Sequence, residues 1–204
     1  MLIAVLAGLI GAILYIPLGK YLRGRLSVLA SALPLGLFIY FCSFIPEVSA
    51  GDSFRTHYPW VSSLGVNFDF YLDGLSLLFS LLITGVGTLI FLYASAYMKG
   101  NPYTDRFFAY LSLFMAAMLG VALSDNILLL FIFWELTSIS SFFLIGFDND
   151  NADSRKNSLK ALAITGGGGF FLMAGLILMG HVGGIDTHGS CVGQLFHTGD
   201  DQLE

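Results

Sequence analysis

One stretch constrains this chain more than any other. FIFWELTSISSFFLIGF, residues 131–147, continues an apolar run that opens at Asn126. Between Asn126 and Phe147 a single ionisable residue occurs, Glu135, near the middle. A run of about 22 residues at roughly 1.5 Å per residue matches a bilayer core of roughly 30 Å. A carboxylate at that depth costs roughly 2.5 kcal/mol or more to insert. It therefore has to face a protein interior or a wet cavity, and it needs a partner.

Composition agrees with a membrane chain. The 204 residues are 56% hydrophobic and 11% charged, against about 25% charged in a soluble domain. No Lys/Arg patch forms a nucleic-acid footprint. Cys42 and Cys191 lie far apart and neither belongs to a CxxC pair, so the pattern suggests no zinc, iron–sulfur or redox site. No metal and no cofactor is expected. Isolated His57 and the irregularly spaced His181, His188 and His197 do not form a ligand set.

The apolar segments predict an all-α, polytopic membrane helical bundle of about six spans, at 2–19, 26–46, 74–97, 107–124, 126–147 and 161–181, with a polar tail over 182–204. The first span lacks a basic leader and reads as retained rather than cleaved. Pro34 predicts a kink in the second. Residues 47–71 read as one long polar and aromatic loop, in which VNFDFYLD at 66–73 fits a short strand or an interfacial segment. Asp73 fits an N-cap of the third span, with proton entry as the other reading. Asp125 and Asn126 make a tight turn. Asp148, Asp150 and Asp153 lack the spacing of a calcium hand, and Asp153 or Ser154 fits a cap of the sixth span. GGGG at 166–169 has no GK[ST] behind it, so it reads as close packing or a flexing point rather than a phosphate loop.

Charge gives orientation. Eight of the nine Lys and Arg residues follow the first, third and fifth spans: Lys20, Arg23, Arg25, Lys99, Arg106, Arg155, Lys156 and Lys160. Only Arg55 falls on the other side. The positive-inside rule places the eight in the cytoplasm and both termini outside a cell inner (cytoplasmic) membrane.

Glu135 is the candidate proton or ion relay. Ser138 lies one turn away, and Thr137, Ser140 and Ser141 add hydroxyls to the same helix. Burial favours the neutral acid and a cationic neighbour favours the carboxylate, so a group held between the two takes up and releases a proton. No basic residue lies within another span, and Lys160 would have to bridge much of a half-bilayer. The other reading is a neutral Glu135 that joins two helices by a hydrogen bond.

RFFAYLSLFMAAMLGVALSDNILLLFIFWELTSISSFFLIGF, 106–147, and LDGLSLLFSLLITGVGTLIFLYASAYM, 72–98, resemble the A subunit of Mrp-type multisubunit cation/proton antiporters. The wider superfamily includes the antiporter-like membrane subunits of respiratory complex I. The resemblance covers roughly residues 1–180 and is sharpest over 72–147. It implies an N-terminal part of an antiporter-like subunit, with Glu135 as the fifth-helix glutamate and a lysine on a seventh helix, beyond this chain, as its counterpart. It also implies other hydrophobic subunits and the bilayer as partners, Na+ and H+ as transported ions, and a transporter subunit rather than an enzyme. A truncated or split subunit, dependent on partners, is the expectation. The alternatives are a proton-translocating subunit of an NADH:quinone oxidoreductase-type complex and a non-transporting scaffold or remnant.

Overall fold

The computed structural model describes residues 1–18, 24–61, 66–148 and 150–182. The helices are α1 (Leu2–Leu18), a 3-10 segment (Gly24–Ser31), α2 (Ala32–Cys42), α3 (Ile45–Ser49), α4 (Gly74–Tyr97), α5 (Thr104–Leu123), α6 (Ile127–Ile145) and α7 (Ala152–Val182). Strands β1 (Phe54–Val61) and β2 (Val66–Leu72) lie between α3 and α4. Among the described residues five helical stretches are long and apolar enough to cross a membrane: Val28–Ser49, Gly74–Tyr97, Thr104–Leu123, Ile127–Ile145 and Ala152–Leu178. α1, with 17 residues, sits at the lower limit of spanning length. The chain is thus an all-α membrane bundle of five to six apolar helices with a small hairpin at one end.

Two spans depart most from expectation, each for a local reason. The second span is not one α-helix with a central kink. Pro34 stands in the first turn of α2, directly after the 3-10 segment. A proline there gives up only an amide that has no intrahelical partner. The same logic repeats at Pro46, which opens α3 after a turn at Ser43 and Phe44. α7 begins at Ala152 rather than near 161, because the polar segment before its apolar part is itself helical. Its first turn is closed by Asn151, whose Oδ1 accepts from the Asp153 amide at 2.9 Å. Neither expected residue caps it; the Ser154 hydroxyl instead donates to the Ile145 carbonyl at 2.9 Å.

α4 keeps its expected limits. The Asp73 carboxylate accepts from the Ser76 amide at 2.8 Å, and the Ser76 hydroxyl accepts from the Asp73 amide at 2.7 Å. This reciprocal box satisfies two amides at the helix start.

The expected loop between the second and third spans carries an antiparallel hairpin. Phe54 stands opposite Leu72, Arg55 opposite Tyr71, and His57 opposite Asp69. Residues alternate between two faces in a strand, and Phe70 and Leu72 bury completely on one of them. Phe70 bridges to Ser124, and the Asp125 amide donates to the Asp69 carbonyl at 2.9 Å. The hairpin thereby closes over the α5–α6 turn.

α5 is the central helix. α1 packs along it, α4 and α6 flank it, and α7 packs on α6. Rings of Tyr15, Phe91 and Phe108 from α1, α4 and α5 meet with centroids 5.7–6.2 Å apart.

Candidate ion-relay site

α6 starts where Asn126 Oδ1 accepts from the Leu128 amide at 2.9 Å. Successive residues turn by about 100° on a helix, so Phe133 and Glu135 project to nearly opposite sides. Phe133 packs against α5. Its ring fills the space where a side chain at Gly120 would stand. Glu135 packs against α7. Its Oε1 occupies the place that a Cβ would take on Gly169.

Glu135 is half-buried, but Oε1 is shut off from solvent and has no hydrogen-bond partner among the described residues. The hydroxyls near it on α6 turn to their own backbone. Thr137 donates to the Trp134 carbonyl at 2.6 Å, Ser140 to Leu136 at 2.8 Å and Ser141 to Ser138 at 2.9 Å. Ser138 reaches the Trp134 carbonyl at 3.5 Å. A hydroxyl surrounded by hydrocarbon binds the nearest available carbonyl, usually one turn back. Among the described residues no basic side chain pairs with Glu135. Lys160 lies nine positions before Gly169 on α7, or about 14 Å along the axis at 1.5 Å per residue.

Of the four glycines at 166–169, only Gly169 meets the carboxylate. Around Gly166, Gly167 and Gly168 an added Cβ would touch nothing within 4 Å. The run therefore contains one tight contact and three open positions.

A second polar cluster lies at the hairpin end, and its central residue carries no functional reading in the sequence. Asp125 is 1% exposed, and the Arg55 Nε stands 2.9 Å from its Oδ2. That approach is an ion pair without hydrogen-bond alignment, since both Asp125 carboxylate oxygens lack such a bond. Burial pushes the Asp125 carboxyl above its ordinary range, Arg55 opposes this, and nearby Asp69 adds to the rise. Arg55 also lies over the Tyr71 ring, 5.2 Å from its centroid. A sequence signal exists for the pair: Arg55 is the lone basic residue on its side, and Asp125 interrupts two apolar runs.

His57 is not isolated, because its Nδ1 contacts the Asp69 carboxylate across the hairpin. Asp73 is occupied as a helix cap. Among the described residues no group of three His, Cys, Asp or Glu side chains converges as a metal site. His188, His197 and Cys191, and the side chain of His181, lie outside the described residues. A cleft of about 780 Å³ opens between the α4–α5 and α6–α7 turns, lined by Arg106, Asp148, Asp150 and Arg155. Neither Glu135 nor Gly169 lines it.

Residues 59–108 match the family described as NADH-Ubiquinone oxidoreductase (complex I), chain 5 N-terminus, and 124–198 match NADH:quinone oxidoreductase/Mrp antiporter, TM. The A1 subunit of the Na(+)/H(+) antiporter of Staphylococcus haemolyticus (strain JCSC1435) is 48% identical over 151 residues, 74% of this chain and 19% of that protein. Its counterpart in Staphylococcus aureus is 43% identical over 178 residues, 87% of this chain and 22% of that protein. The chain belongs to the family of Mrp-type Na+/H+ antiporter A subunits. That family falls within the complex I antiporter-like superfamily. The Mrp antiporter match continues to residue 198, past the expected end of the resemblance near 180. In three dimensions the chain is similar to a chain in the structure of the Mrp complex from Dietzia sp. DQ12-45-1b. The TM-score is 0.80 at 26% identity, over 89% of this chain and 19% of that one. A chain of the membrane-bound sulfane sulfur reductase, an archaeal respiratory membrane complex, shares the fold with a TM-score of 0.70 at 17% identity, over 88% of this chain and 36% of that one. The chain spans about a fifth of the length of the curated relatives it matches.

Proposed function

We propose that this chain works as part of a multisubunit Na+/H+ antiporter, with Glu135 as its proton relay. One observation carries the reading. A carboxylate oxygen is enclosed midway along a membrane-length helix, with no donor among the described residues to satisfy it. Such an oxygen is costly unless it takes a proton or meets a cation. A protonated Glu135 is neutral and suits that enclosure. Release of the proton leaves a carboxylate that needs a positive partner, and no described residue supplies one. The lysine implied by family resemblance would fill that role in the assembled complex. Protonation and ion pairing then alternate at a single group, so a change in the partner's position drives uptake or release.

Other hydrophobic subunits are the proposed partners, and Na+ and H+ the proposed ions. Similarity to bacterial antiporter subunits supports an inner membrane location, and the positive-inside rule supports an orientation with the hairpin and both termini outside. A second reading, a subunit of a redox-driven proton pump, draws support from the complex I description matched over 59–108. The identity to antiporter A1 subunits favours the first.

Cation-dependent proton movement in inverted vesicles holding the assembled complex tests the relay. Glu135→Gln keeps size and removes the titratable charge, and is expected to abolish exchange with assembly intact. Asp150→Asn, a change on an exposed turn, serves as the control. Exchange by Glu135→Gln at the parental rate would refute the relay.

A further inference from the structure

The relay reading leaves open what fixes the carboxyl in place. No hydroxyl of α6 holds it, and no described cation draws it. What the structure offers is a gap. Gly169 on α7 lacks the one atom that would collide with Glu135, and the carboxyl end fills that gap. A Cβ on Gly169 would fall on Oε1 and come within 3.0 Å of the carboxyl carbon. The three preceding glycines face open space, so within the run the close approach belongs to Gly169 alone.

We infer that Gly169 is a positioning residue, whose bare backbone forms a notch that sets where the Glu135 carboxyl sits. The consequence of adding a methyl there is selective. The obstructing atom belongs to the far end of a flexible side chain, which moves aside at little cost to the fold. Alanine is also a better helix former than glycine. Gly169→Ala therefore leaves α7 folded and relocates the carboxyl. Gly120 provides the contrast, since there the obstructing group is the ring of Phe133, which has no comparable freedom.

Relocation matters because proton transfer needs donor and acceptor within about 2.6–3.2 Å. A displacement of about 1 Å is enough to slow a geometry-dependent step on the order of a hundredfold. The functional part of the inference rests on the relay reading; the placement of the carboxyl does not. Two independent readouts separate them.

The experiment uses the assembled complex, with Gly169→Ala, Gly166→Ala, Glu135→Asp and the double variant Gly169→Ala/Glu135→Asp. The first readout is modification of Glu135 by a hydrophobic carbodiimide, followed by mass spectrometry and independent of transport. The second is exchange across a pH series, normalised to assembled complex. Gly169→Ala is expected to change the labelling rate severalfold, lower exchange by about tenfold or more, and shift the pH of half-maximal rate. Gly166→Ala should change neither readout. The double variant should exchange faster than Gly169→Ala alone, because the shorter aspartate clears the added methyl. Unchanged labelling with an unchanged pH profile in Gly169→Ala overturns the notch. So does a double variant slower than both single variants, since that denies a shared space. If Glu135→Gln transports normally while Gly169→Ala still alters labelling, the relay fails and the notch stands.

Discussion

The Arg55 Nε and the Asp125 Oδ2 meet at 2.9 Å, although one belongs to the hairpin and the other to the α5–α6 turn. The pair joins the lone basic residue on its side to the most enclosed acid among the described residues. Arg55 is half-exposed, so its removal costs less than the loss of a fully buried partner. Arg55→Gln is expected to destabilise the hairpin end by about 1–2 kcal/mol. The thermal unfolding midpoint in detergent measures this.

Asp125 also sets a pH dependence. Its folded-state carboxyl is held above the usual carboxylate range, by burial first, with Arg55 opposing and Asp69 adding. The folded chain therefore retains a proton that the unfolded chain has lost. That contribution is fully present below the ordinary carboxylate value of about 3.9 and disappears as pH rises through the higher folded value. Asp125→Asn mimics the neutral form and should flatten this part of the curve. Unfolding midpoints of both proteins across that pH range check it; parallel curves would count against the assignment.

At the start of α4, Asp73→Ala should cost about 1 kcal/mol, since it breaks a reciprocal box. Asp73→Asn keeps an accepting oxygen and should lose less. Limited proteolysis at the hairpin–α4 junction ranks the three proteins. Equal cleavage in all three would show that the cap is not limiting.

Gly120→Ala should destabilise the bundle by about 1–3 kcal/mol through overpacking against Phe133. Combining it with Phe133→Leu should recover part of the loss. Thermal midpoints of the single and double variants reveal that coupling, and strict additivity would contradict it.

Orientation is open to cysteine labelling in a background without Cys42 and Cys191. Ser53→Cys and Lys156→Cys occupy exposed positions on opposite ends of the bundle. The first should react with an impermeant reagent from outside, and the second only from the cytoplasm. The reverse result would invert the proposed orientation.

Much of this arrangement is legible in local chemistry. α4 can be delimited because Asp73 and Gly74 precede an uninterrupted apolar run. Glu135 stands out because an ionisable group within such a run is rare and expensive. The second span is harder, because a proline inside an apolar run fits a kink as well as a helix start, and Pro34 is the latter. The hairpin is half visible, since the β2 alternation shows while β1 mixes His57, Tyr58 and Pro59. The remaining features depend on contacts between distant segments. Nothing local distinguishes Gly169 from its three neighbours, because the difference is which one faces α6. Arg55 and Asp125 each stand out in the sequence, but their pairing depends on how the hairpin closes over the α5–α6 turn.

The contact between α1 and α5 has a further consequence, in time rather than space. Gly8 lies against Ala116, where an added Cβ would clash, and the Ser112 hydroxyl donates to the Gly8 carbonyl at 2.9 Å across 104 residues of chain. At about 5–20 residues per second, ribosomal synthesis separates the two segments by roughly 5–20 s. Throughout that interval α1 waits in the bilayer without its principal neighbour. α1 is thus made well before the helix that seats it.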